Sequence, residues 1–262
     1  MSAASNLRLE HALRSRKPAF IPYLMAGDPD IASTEAIARG LAQVGAVALE
    51  LGVPYGDPLA DGPTIAAAGQ RALASGTRVR DVLALVQRLS DAIPVVLFTY
   101  FNPVCAYGLD LFAADAASAG AAGVIIPDIT LEELDEVQPA FERRGLAMPL
   151  LVAPTTPAQR ATRIAQRATG FVYIVSRLGV TGAAAAPSVE PLRVQTTLLR
   201  AVTRTPLAVG FGISTRAHVD TIASLVDGFI VGSALIDAYA GTTGEEATAR
   251  AQAFALELVR AS

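Results

Sequence analysis

Eight short apolar runs, each followed by an amphipathic stretch and with no linker between them, predict a single closed (β/α)8 barrel over residues 1–262. The chain length lies near the roughly 250 residues typical of such a barrel. Several runs are apolar at nearly every position, as expected for parallel strands buried on both faces.

The elements follow in order. An extra helix around Asn6–Arg16 precedes the first strand and is expected to plug the barrel floor. Strands are predicted at Phe20–Leu24, Val47–Leu51, Val95–Phe98, Gly123–Ile126, Pro149–Val152, Phe171–Val175, Leu207–Gly210 and Gly228–Val231. Amphipathic stretches such as Ser33–Val44, Arg80–Leu89, Leu131–Arg143, Pro157–Arg167 and Arg216–Leu225 lie between them. Gly232-Ser233-Ala234-Leu235 follows the last strand and is expected to open a short extra helix that binds phosphate. Three connections are longer or richer in Gly and Pro: Val53–Thr77, Thr99–Leu109 and Ser176–Ser188. All three must emerge on one face of the barrel, the face that carries chemistry in this architecture. The third is rich in small residues and reads as a lid.

Composition excludes several classes. Hydrophobic residues make up 52% of the chain and the net charge is −3, with no basic block to mark a nucleic-acid surface. No apolar run is long enough to span a membrane, and a cytoplasmic location is expected. One cysteine, Cys105, and two histidines, His11 and His218, argue against a conventional zinc site. Cys105 reads as a small apolar residue. Lys17 is the single lysine and lies before the first strand, at the end opposite the mouth. Schiff-base and pyridoxal chemistry, which need a lysine in the site, are therefore not expected of this chain alone.

The segment Glu50-Leu-Gly-Val-Pro-Tyr-Gly-Asp-Pro-Leu-Ala-Asp-Gly-Pro-Thr64 carries the strongest signal. Glu50 lies at the end of an apolar strand, where a dry pocket raises a carboxyl toward neutrality and suits it to proton transfer. Asp61, in the wetter loop, is expected to stay ionised and to accept a hydrogen bond from a substrate N–H. The alternative is structural, with Glu50 paired to an arginine and Asp61 capping a turn. Asp57 is read as a turn residue or a subunit contact. Gly210-Phe211-Gly212-Ile213-Ser214 and Gly232-Ser233 follow strands seven and eight, the usual place for a phosphate in a barrel. Tyr100, Tyr173, Tyr23 and Phe211 are candidates to wall a flat aromatic substrate, with core packing the alternative for Tyr23 and Phe211.

These motifs, together with Thr99-Tyr-Phe-Asn-Pro-Val104, Ile126-Pro-Asp128, Ser176-Arg-Leu-Gly-Val-Thr-Gly182 and Val231-Gly-Ser-Ala234, closely resemble the tryptophan synthase alpha-subunit family over essentially the full length. The resemblance implies retro-aldol cleavage of indole-3-glycerol phosphate to indole and glyceraldehyde 3-phosphate, with Glu50 moving protons and Asp61 holding the indole N–H. It further implies that Tyr173 positions Glu50 and substrate, and that Thr181 and Arg177 act from the lid. Gly182, Gly212, Gly232 and Ser233 would hold the phosphate. The implied partner is a pyridoxal-phosphate (PLP) beta subunit in an alpha2-beta2 complex, met through Pro54, Asp57, Pro58 and Asn102, with no cofactor in this chain. Many members carry Phe-Ser where this chain has Tyr55-Gly56; Leu178 and the Ala183–Ala186 run also depart from the common lid. A stand-alone lyase and a weakly catalytic activator subunit are the other readings. A sister barrel, indole-glycerol-phosphate synthase, lacks support because its catalytic lysines have no counterpart here.

Overall fold

The computed structural model describes residues 4–176, 189–210 and 212–259. Helix α1 (Ala4–Arg14) leads into β1 (Ala19–Met25), α2 (Ile31–Gln43) and β2 (Leu49–Gly52). Two helices, α3 (Pro63–Ala74) and α4 (Val79–Leu89), precede β3 (Val95–Phe98), and two more, α5 (Phe101–Tyr107) and α6 (Leu109–Ser118), precede β4 (Gly123–Ile125). The alternation continues through α7 (Leu134–Glu142), β5 (Leu150–Val152), α8 (Ala158–Arg167), β6 (Val172–Val175) and α9 (Glu190–Arg200). It ends with β7 (Leu207–Gly210), α10 (Arg216–Ile222), β8 (Gly228–Val231), α11 (Ser233–Tyr239) and α12 (Gly244–Val259).

All eight strands are parallel, in the order β4-β3-β2-β1-β8-β7-β6-β5. The ring closes between β4 and β5 through a parallel bridge from Gly123 to Ala147, just ahead of β5. Val124 N–H donates to the Ala147 carbonyl at 2.8 Å, and Ala147 N–H to the Ala122 carbonyl at 3.0 Å. A side chain at Gly123 would put its Cβ 2.7 Å from the Ala147 carbonyl oxygen, so the closure requires glycine there.

The predicted strands agree with the observed ones to within a residue or two. The sheet is fully buried except for Leu151 and Val175, which accounts for the near-continuous apolar runs. α1 packs Leu9 and Leu13, both fully buried, against the floor. Leu9 lies so close to Gly170, which precedes β6, that a Cβ there would fall 2.8 Å from Leu9 Cδ2. The helical patterns resolve into faces: α4 buries Val82, Leu83, Leu85, Val86 and Leu89, and Asp81 accepts from Arg78 N–H at 2.9 Å to close its first turn. Asp30 caps α2 from the N-cap position, accepting from Ser33 N–H at 2.7 Å.

Two segments expected as loops contain helices. Pro63 begins α3 at its first turn, where its missing N–H costs nothing, and Ala68, Gly69 and Ala72 form the buried face. α5 holds Asn102-Pro103, and the Asp128 carboxylate accepts from Phe101 N–H at 2.9 Å at its start. Strand β2 also begins two residues later than predicted and runs past Glu50 to Gly52. Cys105, expected to pack as a small apolar residue, is exposed on α5. No helix among the described residues is long and apolar enough to cross a membrane.

Candidate active site

A cavity of about 540 Å³ opens at the C-terminal ends of the strands. Side chains from β1, β2, β3, β6 and β8 reach into it: Tyr23, Glu50, Phe98, Tyr173 and Ile230. The loop after β2 and the start of α3 add Asp61, Gly62 and Ile65, while Gly212, Ser214, Gly232 and Ser233 line it from the loops after β7 and β8.

The strand register decides what sits beside what. Tyr23 on β1 is level with Glu50 on β2, and Gly52 is level with Phe98 on β3. Room for the tyrosine rings comes from glycines at inward positions near two strand ends. A Cβ at Gly52 would fall 2.1 Å from Tyr23 Oη, and one at Gly210 would fall 2.2 Å from Tyr173 Oη. Phe98 meets Tyr23 edge-on, ring centroids 6.0 Å apart. The alternative of Tyr23 as plain core therefore gives way to a ring that is buried and also walls the cavity.

Glu50 is 2% exposed, and its Oε2 has no hydrogen-bond partner among the described residues. Burial first, and the nearby Asp61 carboxylate second, push its carboxyl up to about 8. The structural alternative, a Glu50–arginine pair, is not found among the described residues, where no arginine lines the cavity. Asp61 is half-buried and accepts from Tyr100 Oη at 2.9 Å, while Tyr100 Oη accepts from Ala60 N–H at 3.0 Å. Burial raises the Asp61 pKa and the Tyr100 hydrogen bond lowers it, with burial the larger effect. Asp61 is therefore drier than its loop position suggests, and its ionised form depends on Tyr100.

Tyr100, expected to wall the substrate, is buried behind Asp61 and does not itself line the cavity. Its ring lies 5.4 Å from that of Tyr55, whose hydroxyl accepts from Asn102 Nδ2 at 3.0 Å. Of the residues assigned to a partner surface, Asp57 and Asn102 are exposed, Pro58 is half-buried and Pro54 is buried within the chain. Arg177, Thr181, Gly182 and Phe211 lie outside the described residues. Sequence reasoning missed Ile65, Phe98, Ile230, His218 and Asp237 as lining residues. Their signal is positional: Phe98 ends a strand, Ile230 alternates with Gly228, and His218 stands four residues after Ser214. No group of three or more His, Cys, Asp or Glu side chains among the described residues is placed to hold a metal ion.

Fold and site together define a (β/α)8 enzyme of the acid–base class, with a buried carboxyl poised near neutrality beside a second, tyrosine-held one. Comparison with known proteins gives the family: the chain belongs to the tryptophan synthase alpha chains, whose sequence model matches residues 9–261. A tryptophan synthase alpha chain from Gloeobacter violaceus is 47% identical over 259 residues, 97% of this chain and 94% of that one. One from Synechococcus sp. is 45% identical and covers 100% of this chain and 98% of its own. Tryptophan synthase from M. tuberculosis in its aminoacrylate-bound form superposes with a TM-score of 0.86 at 37% identity, over 96% of this chain and 97% of that chain. A tryptophan synthase complex from Pyrococcus furiosus gives 0.83 at 34% identity, over 93% and 98%. The reaction of the family is the lyase half-reaction of tryptophan biosynthesis, cleavage of indole-3-glycerol phosphate to indole and glyceraldehyde 3-phosphate.

Proposed function

We propose that Glu50 is the proton carrier of this cleavage and Asp61 the anchor of the indole N–H. The observation that carries the reading is a single one: a buried carboxyl, unpaired among the described residues, faces the same cavity as a second carboxylate. With its pKa near 8, Glu50 is protonated at neutral pH and can deliver that proton to indole C3. The ring becomes a cationic indolenine, its own electron sink, and Asp61 accepts from its N–H. The Glu50 carboxylate then takes the proton of the glycerol hydroxyl on the adjacent carbon. The bond from indole C3 to that carbon breaks, its electrons return to the ring, and the carbonyl of glyceraldehyde 3-phosphate forms. Glu50 ends protonated, as it began.

Tyr173 and Tyr23 orient the ring system, and Tyr100 acts through Asp61. Thr181, Arg177 and Phe211 complete the substrate contacts, and Gly182, Gly212, Gly232 and Ser233 bind the phosphate through backbone and hydroxyl donors. Asp57, Pro58 and Asn102, with Pro54 beneath them, face a beta subunit in an alpha2-beta2 complex in the cytoplasm. That partner carries pyridoxal phosphate and condenses the released indole; this chain works as one domain without a cofactor. Exposed Asp57 and Asn102 beside the Tyr55–Tyr100 contact support this face, because it leads directly to Asp61.

The test is indole release from indole-3-glycerol phosphate by the purified chain, alone and with a tryptophan synthase beta subunit. Weak activity that rises strongly with the partner is expected. High activity unchanged by the partner would mean a stand-alone lyase, and no indole in either case would remove the Glu50 and Asp61 roles.

A further inference from the structure

We propose that His218 is a phosphate-recognition residue, an imidazole whose Nδ1 is engaged by the Ser214 backbone and whose Nε2–H donates to the substrate phosphate. This rests on the reading above that Gly212, Gly232 and Ser233 form the phosphate end of the cavity. His218 is half-buried and lines the same cavity as all three. Ser214 N–H donates to its Nδ1 at 3.3 Å. Nδ1 must be unprotonated to accept, so a neutral ring carries its proton on Nε2 and can only donate from there. The backbone beneath is fixed as well, since Thr215 Oγ1 caps α10 by accepting from His218 N–H at 3.3 Å.

Charge explains why a side-chain donor matters here. Glu50, Asp61 and Asp237 all line the cavity, and no lysine or arginine among the described residues does. A phosphate entering beside Asp237 needs directed donors to offset carboxylate repulsion, and an imidazole N–H supplies one without bringing in a competing acceptor.

Three proteins decide it: the full chain, His218→Leu and His218→Gln, assayed by steady-state cleavage with glycerol 3-phosphate as competitive inhibitor and indole as the unphosphorylated probe. His218→Leu should raise both the inhibition constant of glycerol 3-phosphate and KM by about tenfold, the loss of one hydrogen bond to a charged group. kcat should stay within about twofold, because the contact is made equally in ground and transition states. Indole affinity should not change, and His218→Gln, with an acceptor and a donor on one side chain, should recover most of the loss. An unchanged inhibition constant in His218→Leu would overturn the proposal, as would a parallel fall in indole affinity, which marks a merely structural role. Absence of inhibition by glycerol 3-phosphate in the unsubstituted chain would instead overturn the phosphate assignment on which the proposal stands.

Discussion

Two buried carboxylates at opposite ends of one barrel have opposite fates. Asp227, just before β8 on the floor, accepts from Leu207 N–H at 2.8 Å and pairs with Lys17 at 3.0 Å and Arg200 at 2.5 Å. Although burial pulls its pKa upward, these partners together hold it below the usual carboxylate range. Glu50, at the mouth, is buried with no cation against it among the described residues, and its pKa rises to about 8. The same functional group is held ionised where its charge is matched and is pushed toward its protonated form where it is not. Lys17, the chain's one lysine, thus sits on the floor, away from the mouth, as its position in the sequence suggests.

The contrast is sharpest at Glu50 itself. Glu50→Gln should reduce cleavage by about 10³-fold or more while the fold persists, measured by indole release and circular dichroism. It should also stabilise the protein at alkaline pH. A carboxyl raised from its ordinary 4.5 to about 8 leaves the native state holding more protons than the unfolded one across that interval. Native stability therefore falls as pH climbs from 4.5 to 8 and stays lowered above it, and the glutamine variant escapes that loss. Denaturant melts of both proteins at pH 5 and pH 9 check the sign; equal differences at the two values would contradict it.

Asp227→Ala should give the reverse pattern. It orphans the buried Leu207 N–H and two partly exposed cations, at a cost of about 2–4 kcal/mol, discounted for the solvent screening of Lys17 and Arg200, with kcat unchanged. Because the Asp227 pKa is lowered, its contribution is fully present above the ordinary carboxylate value and is lost as pH falls through the native one. Melts at pH 7 and pH 3 should therefore show the difference shrinking at the lower pH.

Gly52→Ala tests whether the mouth is shaped by its missing side chains. The new Cβ would displace the Tyr23 hydroxyl from 2.1 Å, so a loss of about 1–3 kcal/mol in stability and a raised KM are expected. Smallest is Tyr100→Phe, which removes one hydrogen bond to Asp61 and should lower kcat/KM by about five- to tenfold. An Asp61 held as well without the hydroxyl as with it would leave kcat/KM unchanged.

How much of this was legible in the sequence depends on which physical pattern each part leaves. Strands such as Val95–Phe98 and Gly228–Val231 are read to the residue, because burial on both faces writes itself as unbroken apolar runs. α3 and α5 were hidden: their small, Pro-bearing sequences look like loop, and tertiary packing on the barrel makes them helical. Glu50 was visible as a carboxylate on an apolar strand. The setting of Asp61 was not, since its burial comes from the folded loop and its hydrogen-bond partner, Tyr100, is 39 residues away in sequence. His218 escaped because its place in the cavity depends on how the segment after β7 turns into α10, which its local spacing from Ser214 does not reveal.

The most direct measurement is a titration of the Glu50 carboxyl, by isotope-edited infrared difference spectroscopy of the full chain against Glu50→Gln. A carboxyl band that converts to carboxylate with a midpoint near pH 8 is the predicted result. A midpoint near the ordinary value of 4.5 would mean that Glu50 is ionised at neutral pH, and the protonation of indole by this residue would have to be given up.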